Sequence, residues 1–543
     1  MRRFGIQRPE SLESRRVLAA VATIFDVDGD LATIRSSRGQ FSDLVGAITS
    51  FSSGAGNQLS RIDLSSPVFA GTKLQISITQ RDPSGDGIIN IGEILAPHDL
   101  SSVTVAGDLG RIDVGDFNPA TPGIGRLSLG SMGVLSTTTG ATDLNSIVRG
   151  SIRSLQIQTD VSGVTFTSTG NLGNAVVGGS IIGVKSNDGF TVASIGTMTV
   201  AGSLLGGGMS LSGQIQTTSG AIRSLRIGEI IGGAGDGSGT VFGATGIKDI
   251  RINGSVVGGT NVFSGGIAAG VAGGIGKLTI TGNLQGGSFD DTGFVATEGR
   301  IKSATIGGAL IAYTGERSGI IEGRNGIDRI RIGGGIIGGS DRLSGAVLAS
   351  NGSIRRMDVN SAFGFSAITG GAGQLSGSII AGNLGSVMIR GDVVGLVSNP
   401  VLISAVGAVG RAIGSLTVSG RVENTRVLAG YASEIPLNGN ARIGEVVVRG
   451  DLVASSIAAG IDNSLGTGQF GNVFDIPIGG SGTSRIDSVT VGGSAIGNVN
   501  LSDAFGIAAM TIGRVRIGGT RYSITEGSPS SPFADNFALH DVL

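Results

Sequence analysis

The chain has 543 residues, a net charge of −1 and a pI of about 6.2, so its overall charge does not favour nucleic acid or an anionic membrane as a partner. Glycine accounts for 100 residues and proline for only 11, while cysteine is absent, which excludes disulfides, thiolate metal sites and thiol nucleophiles. A chain of this length is too large for one ordinary globular core, so several domains or one repeating array are expected.

Residues 1–22 are predicted to be an export segment. Arginines precede a short apolar run from Val17 to Phe25, and Ala20-Val-Ala22 has the small-x-small form of a cleavage site. The run is too short to span a bilayer, and no other segment reaches about 18 apolar residues, so we expect no transmembrane segment. The alternative is an irregular start to a cytosolic protein.

Residues 23–95 are predicted to form a small β-rich cap. The segments "ATIFDVDGDLATIRSS" and "GTKLQISITQRDPSGDGIINIGEIL" each read as strand, turn and strand. A cap of this kind would cover the open end of a stacked array, which would otherwise pair edge to edge with another chain.

One turn inside this segment, "DPSGDGIINIGE" at residues 82 to 93, matches the spacing of an EF-hand-type calcium loop. The predicted ligands are Asp82, Ser84, Asp86, Ile88 through its carbonyl, Asn90 and Glu93. The flanks read as strands rather than helices, so a polar hairpin turn without metal is the alternative. The earlier "DVDGD", with Asp26, Asp28 and Asp30, is a weaker candidate for the same ion.

Residues 96–520 carry a repeat of the form [Ile/Leu]-x-x-apolar-x-[Ile/Val], with most spacings between 24 and 30 residues. The aliphatic residues alternate in runs of five or six broken by glycine, which is strand periodicity rather than helix periodicity. Three short strands and three turns fill about 27 residues, one coil of a parallel β-helix. We therefore predict an all-β fold, a single-stranded parallel β-helix (β-solenoid) of about 14–16 coils, right-handed by the usual crossover rule.

Two spacings, from Ile152 to Ile195 and from Ile443 to Ile486, are 43 residues long. Each is interpreted as an insertion or a degenerate coil. Residues 521–543, "RYSITEGSPSSPFADNFALHDVL", are polar and then sparsely apolar, and are predicted to be a C-terminal tail or cap.

Registering the coils places polar residues at positions 14 to 16 of five successive repeats, each followed by Ser-Gly or Thr-Gly within a few residues. These are Asp236, Asn261, Asp290, Asp291, Glu316 and Asp341. One interpretation is a ladder that binds a cation or a glycan, and the other is that Asp and Asn suit turns through local hydrogen bonds. At another outward position, Arg226 and Arg251 are stacked and could be bridged by an anionic glycan or simply be solvated.

The opening "LESRRVLAA" resembles the Leu-Glu-x-Arg-x-Leu motif near the start of planctomycete extracellular proteins, and "FDVDGDLATIRSSRG", "FAGTKLQISI", "GDGIINIGEI" and "VTVAGDLGRIDVGD" resemble the head of large secreted β-strand-repeat proteins of such bacteria. The resemblance covers roughly the first 120 residues. It implies export and a secreted or cell-surface location, and it implies no particular chemistry.

Catalysis has little support in the sequence, because there are only two histidines, near the ends of the array, and no Trp to stack sugars. We therefore expect an exported, non-enzymatic structural or adhesion-type protein of the cell surface or matrix. The alternative is a lyase or hydrolase that processes polysaccharide at the acidic corner. Calcium is the one cofactor suggested, a polysaccharide or another surface protein the expected partner, and nucleic acid is not expected.

Overall fold

The computed structural model describes residues 19–542 apart from 82, 84, 119, 362–365, 408, 409, 467, 501, 525, 526, 528 and 531–535. Nearly all of the regular structure is β, with 53% of residues in strands and 3% in helices. The strands form a β-solenoid of about 17 turns with coils of about 26 residues. The predicted fold class is confirmed, with slightly more and slightly shorter coils than expected.

The first sheet of the solenoid contains the repeat strands that the sequence pattern identified. Its strands are Lys73–Thr79, Leu100–Val105, Ile124–Leu129, Ile152–Ile157, Thr165–Val177, Gly189–Leu205, Ile222–Ile231, Ile247–Ile252, Ile275–Ile280, Ile301–Ile306, Ile327–Ile332, Val347–Asn360, Ile379–Arg390, Ile413–Val418, Arg442–Val448, Arg485–Val491 and Thr511–Ile517. Each pairs in parallel with the next, so equivalent residues of adjacent coils lie side by side.

The second sheet consists of very short strands that follow a glycine-rich corner. They are Ser131–Met132, Val161–Ser162, Ile181–Ile182, Val256–Val257, Leu284–Gln285, Leu310–Ile311, Ile336–Ile337, Ile368–Thr369, Val393–Val394, Val422–Glu423, Leu452–Val453 and Ala495–Ile496. The ends of two long strands, at Leu204 and Ile230, continue into this sheet.

The third sheet completes each coil. Its strands are Gly56–Asp63, Ile91–Ala96, Asp108–Val114, Asn145–Val148, Gln214–Thr217, Thr240–Gly243, Gly266–Ala269, Phe294–Thr297, Ile321–Gly323, Val401–Ala405, Thr425–Ala429, Ser456–Ala459, Phe505–Ala509 and Phe537–Asp541, joined by the starts of four of the long strands. Its parallel pairing already begins at Gly56–Asp63 with Ile91–Ala96, inside the segment predicted to be a separate cap.

Antiparallel strands cover both ends of the first sheet. At the N-terminal end, Ala20–Phe25 pairs with Leu31–Ser36, which in turn pairs with Lys73–Thr79. At the C-terminal end, Thr520–Tyr522 pairs with the last repeat strand, Thr511–Ile517. These strands cover the repeat strands at the two ends, and the outermost strand at the C-terminal end has only three residues, which shortens the edge open to association with another chain.

The remaining elements decorate the coils. Ile48–Ser53 pairs with the strand that begins at Gly56, and the two hairpins near the C-terminal end are Tyr431–Ala432 with Ile435–Pro436 and Ile461–Asn463 with Asp475–Pro477. One α-helix, Phe41–Ala47, packs near the N-terminal end, and the 3₁₀ helices are Pro67–Phe69, Ser136–Thr139 and Ile478–Gly480.

The core is a continuous column of aliphatic side chains inside the coils. The first isoleucines of five successive repeats, Ile222, Ile247, Ile275, Ile301 and Ile327, are paired in register and buried. Full burial of such a side chain stabilises the fold by roughly 1.5–3 kcal/mol. The fold is therefore stabilised mainly by this buried aliphatic column, and it needs few charged residues.

The two 43-residue intervals have different structures. Between Ile152 and Ile195 lies a full additional coil, because Leu172 pairs in register with both of them. Between Ile443 and Ile486 there is no added coil, because these two residues pair directly with each other. The extra residues there form the Ile461–Asn463 and Asp475–Pro477 hairpin.

A second apolar cluster lies outside the solenoid bore, on the outer surface of the C-terminal half of the third sheet. The sequence pattern did not predict it. Its buried members are Phe294, Ile320, Leu343, Ala346, Leu348, Leu375, Ile380, Leu402, Leu428, Tyr431, Ala458, Ile461, Phe470, Ala508 and Val542. The two hairpins supply Tyr431, Ile461 and Phe470, which cover part of this surface.

Candidate functional site

The residues of the predicted acidic ladder lie at one corner, between the second and third sheets. The backbone registers the corner from coil to coil, since the N–H of Asp291 donates to the Glu316 carbonyl at 2.9 Å and the N–H of Leu211 to the Asp236 carbonyl at 2.7 Å. The same pairing shows that the six residues occupy three successive positions of the corner rather than one. Asp236, Asp290 and Glu316 share one position, whereas Asp291 occupies the next.

The position that Asp291 occupies has a left-handed backbone in successive coils. Leu211, Phe263, Arg317 and Leu343 adopt the same conformation as Asp291, with φ between 50° and 55°. Leucine, phenylalanine, arginine and aspartate therefore all occur at one structural position, where residues other than glycine are uncommon. The carboxylate of Asp291 is not what the turn itself requires.

A buried hydroxyl determines the geometry of this corner. In seven successive coils a Ser or Thr side chain accepts a hydrogen bond of 2.7–3.3 Å from the backbone N–H five residues earlier. These corner hydroxyls belong to Ser212, Ser238, Ser264, Thr292, Ser318, Ser344 and Ser376, and all are buried. The Ser-Gly and Thr-Gly pairs of the sequence are therefore explained by hydrogen bonds that hold the corner in its conformation.

Arginine side chains pair with two of the acidic groups at this corner. Arg317 Nε lies 2.8 Å from Asp291 Oδ1, and Arg317 Nη2 lies 2.7 Å from Glu322 Oε2. Burial acts to lower the pKa of Arg317, but its hydrogen bonds to Glu322 and Asp291 hold that pKa above the usual value. Arg342 Nη1 lies 3.2 Å from Glu316 Oε1.

The other ladder residues mostly bind backbone N–H groups. Asp290 Oδ1 accepts from the Glu316 N–H at 2.9 Å, and Asp341 Oδ1 accepts from the Arg342 N–H at 3.1 Å. Asn261 Oδ1 accepts from the Val262 N–H at 2.9 Å. Only Asp236, which is exposed, has no side-chain hydrogen bond or ion pair in the described part of the chain. This pattern fits turn stabilisation better than a row of free carboxylates.

Of the predicted calcium ligands at residues 82–93, the structure shows Glu93 and Asn90 engaged with other parts of the chain. Asp82 and Ser84 lie outside the described residues. Glu93 is buried on the third sheet, where Oε1 lies 2.5 Å from Arg61 Nη2 and Oε2 accepts from Thr142 Oγ1 at 2.8 Å. The Asn90 side chain is also engaged, since its Oδ1 accepts from the Asp108 N–H at 2.9 Å.

The structure instead brings Asp86 to Asp26 and Asp28 of the other turn. Carboxylate oxygens of these three residues all lie within 4.8 Å of one another. Asp28 Oδ2 accepts from the Asp86 N–H at 2.7 Å, which joins the two turns. The turns meet because their flanking strands, Leu31–Ser36 and Lys73–Thr79, are antiparallel neighbours.

We call Asp26, Asp28 and Asp86 the cap cluster, and within it the carboxylates of Asp26 and Asp28 influence each other's ionisation. Burial and a hydrogen bond to Asp28 raise the pKa of Asp26 to about 6. The hydrogen bonds from Asp26 and from the Asp86 backbone lower the pKa of Asp28. Three clustered carboxylate oxygens are the hard ligands that Ca²⁺ prefers, so this cluster is the place in the described structure where a divalent cation would fit best.

His540, one of the two histidines of the chain, is buried and contacts a carboxylate. Its ring is buried, and its Nδ1 lies 2.8 Å from Oδ2 of Asp475. The same carboxylate oxygen accepts from the backbone N–H groups of Gly471 and Asn472 at 2.8 and 3.1 Å. The contact therefore ties the 461–477 hairpin to the last coil.

No family model matches the chain, and no curated protein and no solved structure is significantly similar to it. The resemblance to planctomycete secreted proteins therefore stays a prediction. Within the described residues, no helix combines the length and the apolar character needed to cross a membrane.

Proposed function

We propose that the protein is an exported, non-enzymatic β-solenoid that serves as a structural or adhesion-type element of the cell surface or extracellular matrix. The observation that carries this proposal is the continuity of the array. Parallel pairing runs from Gly56 to Asp541 around one aliphatic core, so most of the chain is used to build the rod. At about 4.8 Å per coil, about 17 turns make a rod about 80 Å long.

The corner residues further support a structural function. Acidic side chains there are bound by Arg317, by Arg342 and by backbone N–H groups, and the corner hydroxyls hold each turn in the same geometry. Catalytic acids and bases need carboxylates whose proton affinity is shifted and whose oxygens face a substrate. At this corner the acidic side chains bind arginines and backbone N–H groups, which supports a function in stabilising the turn.

Export is supported by the arginine-rich start and the Leu12-Glu13 motif. The small-x-small sequence Ala20-Val-Ala22 belongs to the strand Ala20–Phe25, so cleavage after Ala22 would remove half of that strand. The test is mass spectrometry of fractionated cells that records the mature N-terminus of the protein. We expect the protein in the surface or extracellular fraction, with its N-terminus processed and the strand Ala20–Phe25 retained. Recovery from the cytosol of chains that still begin at Met1 would overturn the proposal.

The alternative, a polysaccharide lyase or hydrolase, is favoured by the single fact that several carboxylates share one corner of a β-helix. It is tested by incubating the purified protein with polyuronate, with and without calcium. Product that disappears in Asp290→Ala and Asp291→Ala would establish an enzyme. No product from the wild type would retire the alternative and leave the export test unaffected.

A further inference from the structure

Six successive strands of the first sheet present an outer surface that is strongly basic although the whole chain has a net charge of −1. The strands comprise residues 222–227, 247–252, 275–280, 301–306, 327–332 and 354–359, and they carry ten basic and three acidic side chains. We call this surface the basic face. Its basic members are Arg223, Arg226, Lys248, Arg251, Lys277, Lys302, Arg329, Arg331, Arg355 and Arg356.

The charges on this face are unequally exposed. All ten basic side chains are exposed, whereas Asp249, Asp328 and Asp358 are half-buried. Asp328 lies 3.4 Å from Arg355, and Asp358 lies 3.0 Å from Arg356. The remaining eight basic residues have no carboxylate within 4.0 Å in the described part of the chain, so their charge is available to a partner.

Parallel pairing places some of these cations directly beside one another. Arg226 is in register with Arg251, and Arg329 is in register with Arg356. Like charges opposite one another destabilise a sheet. Because the buried isoleucines fix the register, the arginines cannot slide apart, and a bound anion would remove this repulsion.

We propose that the basic face binds a linear anionic polysaccharide that lies along the axis of the rod. Adjacent coils are about 4.8 Å apart, close to the length of one sugar ring, so a chain with one carboxylate or sulfate per sugar can meet a new cation at each coil. Binding would be electrostatic and repeated, with many weak contacts adding to a useful affinity.

A polysaccharide fits this face better than a nucleic acid does. Proteins that bind single strands without sequence preference combine basic grooves with aromatic side chains on which bases stack. The six strands of the basic face contain no Phe, Tyr or Trp. The face is also the outer surface of a sheet, along which an extended chain can lie over several coils.

This inference rests on the proposed function only for location, since a surface or matrix protein meets such polymers. The chemistry of the face is independent of location and is measured on purified full-length protein. Absence of binding in vitro would remove the ligand and leave export untouched, and a cytosolic location would remove export without altering the binding result.

The test measures binding of polygalacturonate, which carries carboxylates, and of dextran sulfate, which carries sulfates, with neutral dextran as the uncharged probe. The face variant replaces Arg226, Arg251, Lys277 and Arg331 with Gln. The matched control replaces four other arginines with Gln and therefore changes the net charge by the same amount. These are Arg35, Arg38, Arg81 and Arg521, which are exposed and lie near the two ends of the chain.

We expect wild-type protein to bind at least one of the two polyanions, with affinity that falls steeply as salt rises, and not to bind dextran. The face variant should lose about tenfold or more in affinity and have a shallower salt dependence, while the control stays within about twofold. Thermal unfolding of the face variant checks that it is folded, and we expect no loss of stability because repulsion is relieved.

Three results would overturn the inference. The first is an absence of binding to both polyanions at low salt, and the second is an equal loss of affinity in the face variant and the control. The third is a single-stranded DNA of equal charge that binds more tightly than both polysaccharides, which would assign the face to nucleic acid. The dextran sulfate and polygalacturonate arms separate sulfate from carboxylate recognition.

Discussion

At the scale of single residues, neighbouring isoleucines have opposite functions in this fold. Ile336 is completely buried in the bore, whereas Ile337, next to it in the same two-residue strand, is 43% exposed. The repeat pattern, which covers residues 327–332 of this coil, does not indicate which of the two is buried. The choice depends on how the preceding glycine corner turns the strand, and Gly335 has a positive φ of 91° there.

This pair gives a matched test of the core. Ile336→Ala should destabilise its coils by about 2–5 kcal/mol because it leaves a cavity in the bore, whereas Ile337→Ala should cost less than about 1 kcal/mol. Hydrogen exchange of peptides from residues 310 to 350, together with urea unfolding, measures both. Equal effects of the two variants would contradict the orientation of this strand.

The corner hydroxyls are the second feature to test at the residue scale. Ser344 Oγ accepts from the Gly339 N–H at 3.0 Å and donates to the Asp341 carbonyl at 2.6 Å. Ser344→Ala leaves these buried groups unpaired, so we expect a loss of about 1–3 kcal/mol in local stability. Exchange at residues 338–346 checks this, with the exposed Ser340→Ala as the control. A turn that is unchanged by Ser344→Ala would show that the hydroxyl is dispensable.

At the scale of elements, the cap cluster is a feature that the spacing of residues along the chain could not predict. The spacing of Asp82 to Glu93 suggested a continuous calcium loop. In the structure Glu93 is buried in the strand Ile91–Ala96, in register with Arg61 and paired with it, while the antiparallel pairing of two other strands brings Asp86 to Asp28, 58 residues away. Long-range pairing of this kind leaves no local signal except the two Asp-Gly turns themselves.

The raised pKa of Asp26 gives a prediction about pH. Its pKa is about 6 in the folded protein, compared with 3.8 for an unperturbed aspartate. Between about pH 4 and 6 the folded state therefore holds a proton that the unfolded state has lost. With chelator present, the stability contributed by this group is therefore present below about pH 4 and falls as the pH rises to 6. Hydrogen exchange of residues 20–36 across this range measures the effect.

Asp26→Asn should remove most of this pH dependence, and Asp236→Asn, an exposed carboxylate elsewhere, should not. If a divalent cation binds the cluster, added calcium should protect the same residues more at pH 7 than at pH 5, because the ion binds the deprotonated carboxylates. An unchanged pH profile in Asp26→Asn would show that the carboxylate is not perturbed in this way.

The two long intervals show what spacing alone could and could not reveal. The coil around Leu172 follows the repeat pattern, but it begins only 20 residues after Ile152 (172 − 152), which is shorter than the spacing of most other repeats, so the sequence did not reveal it. The interval from Ile443 to Ile486 has equal length and no such internal match. Only the register of the strands distinguishes an added coil from an insertion.

The inserted hairpin gives a prediction of its own. Phe470 is buried against Tyr431, with ring centroids 6.4 Å apart in an edge-to-face arrangement, whereas Phe474 of the same hairpin is 44% exposed. Phe470→Ala should cost about 3–5 kcal/mol locally and speed hydrogen exchange in Thr425–Ala429 and Ser456–Ala459. Phe474→Ala should have little effect, and similar exchange in both variants would show that the hairpin does not protect the third sheet.

At the scale of the whole molecule, the repeat made the architecture predictable because each coil poses the same packing problem as its neighbour. Alternating aliphatic residues determine the strands, glycines determine the corners, and stacking extends both along the rod. The repeat could not predict which side chains contact each other on the outer surface of the rod. The outer apolar cluster and the neutralised acidic corner depend on which side chains meet across coils, and a one-coil pattern carries no such information.

The central claim is that this rod stands outside the cell, and labelling of intact cells with a membrane-impermeant amine reagent tests it most directly. Lys73, Lys248, Lys277 and Lys302 are exposed, and Lys73 lies outside the basic face, where a bound polymer would not shield it. We predict that mass spectrometry finds these lysines modified in intact cells. Modification that occurs only after the cells are lysed would contradict the claim.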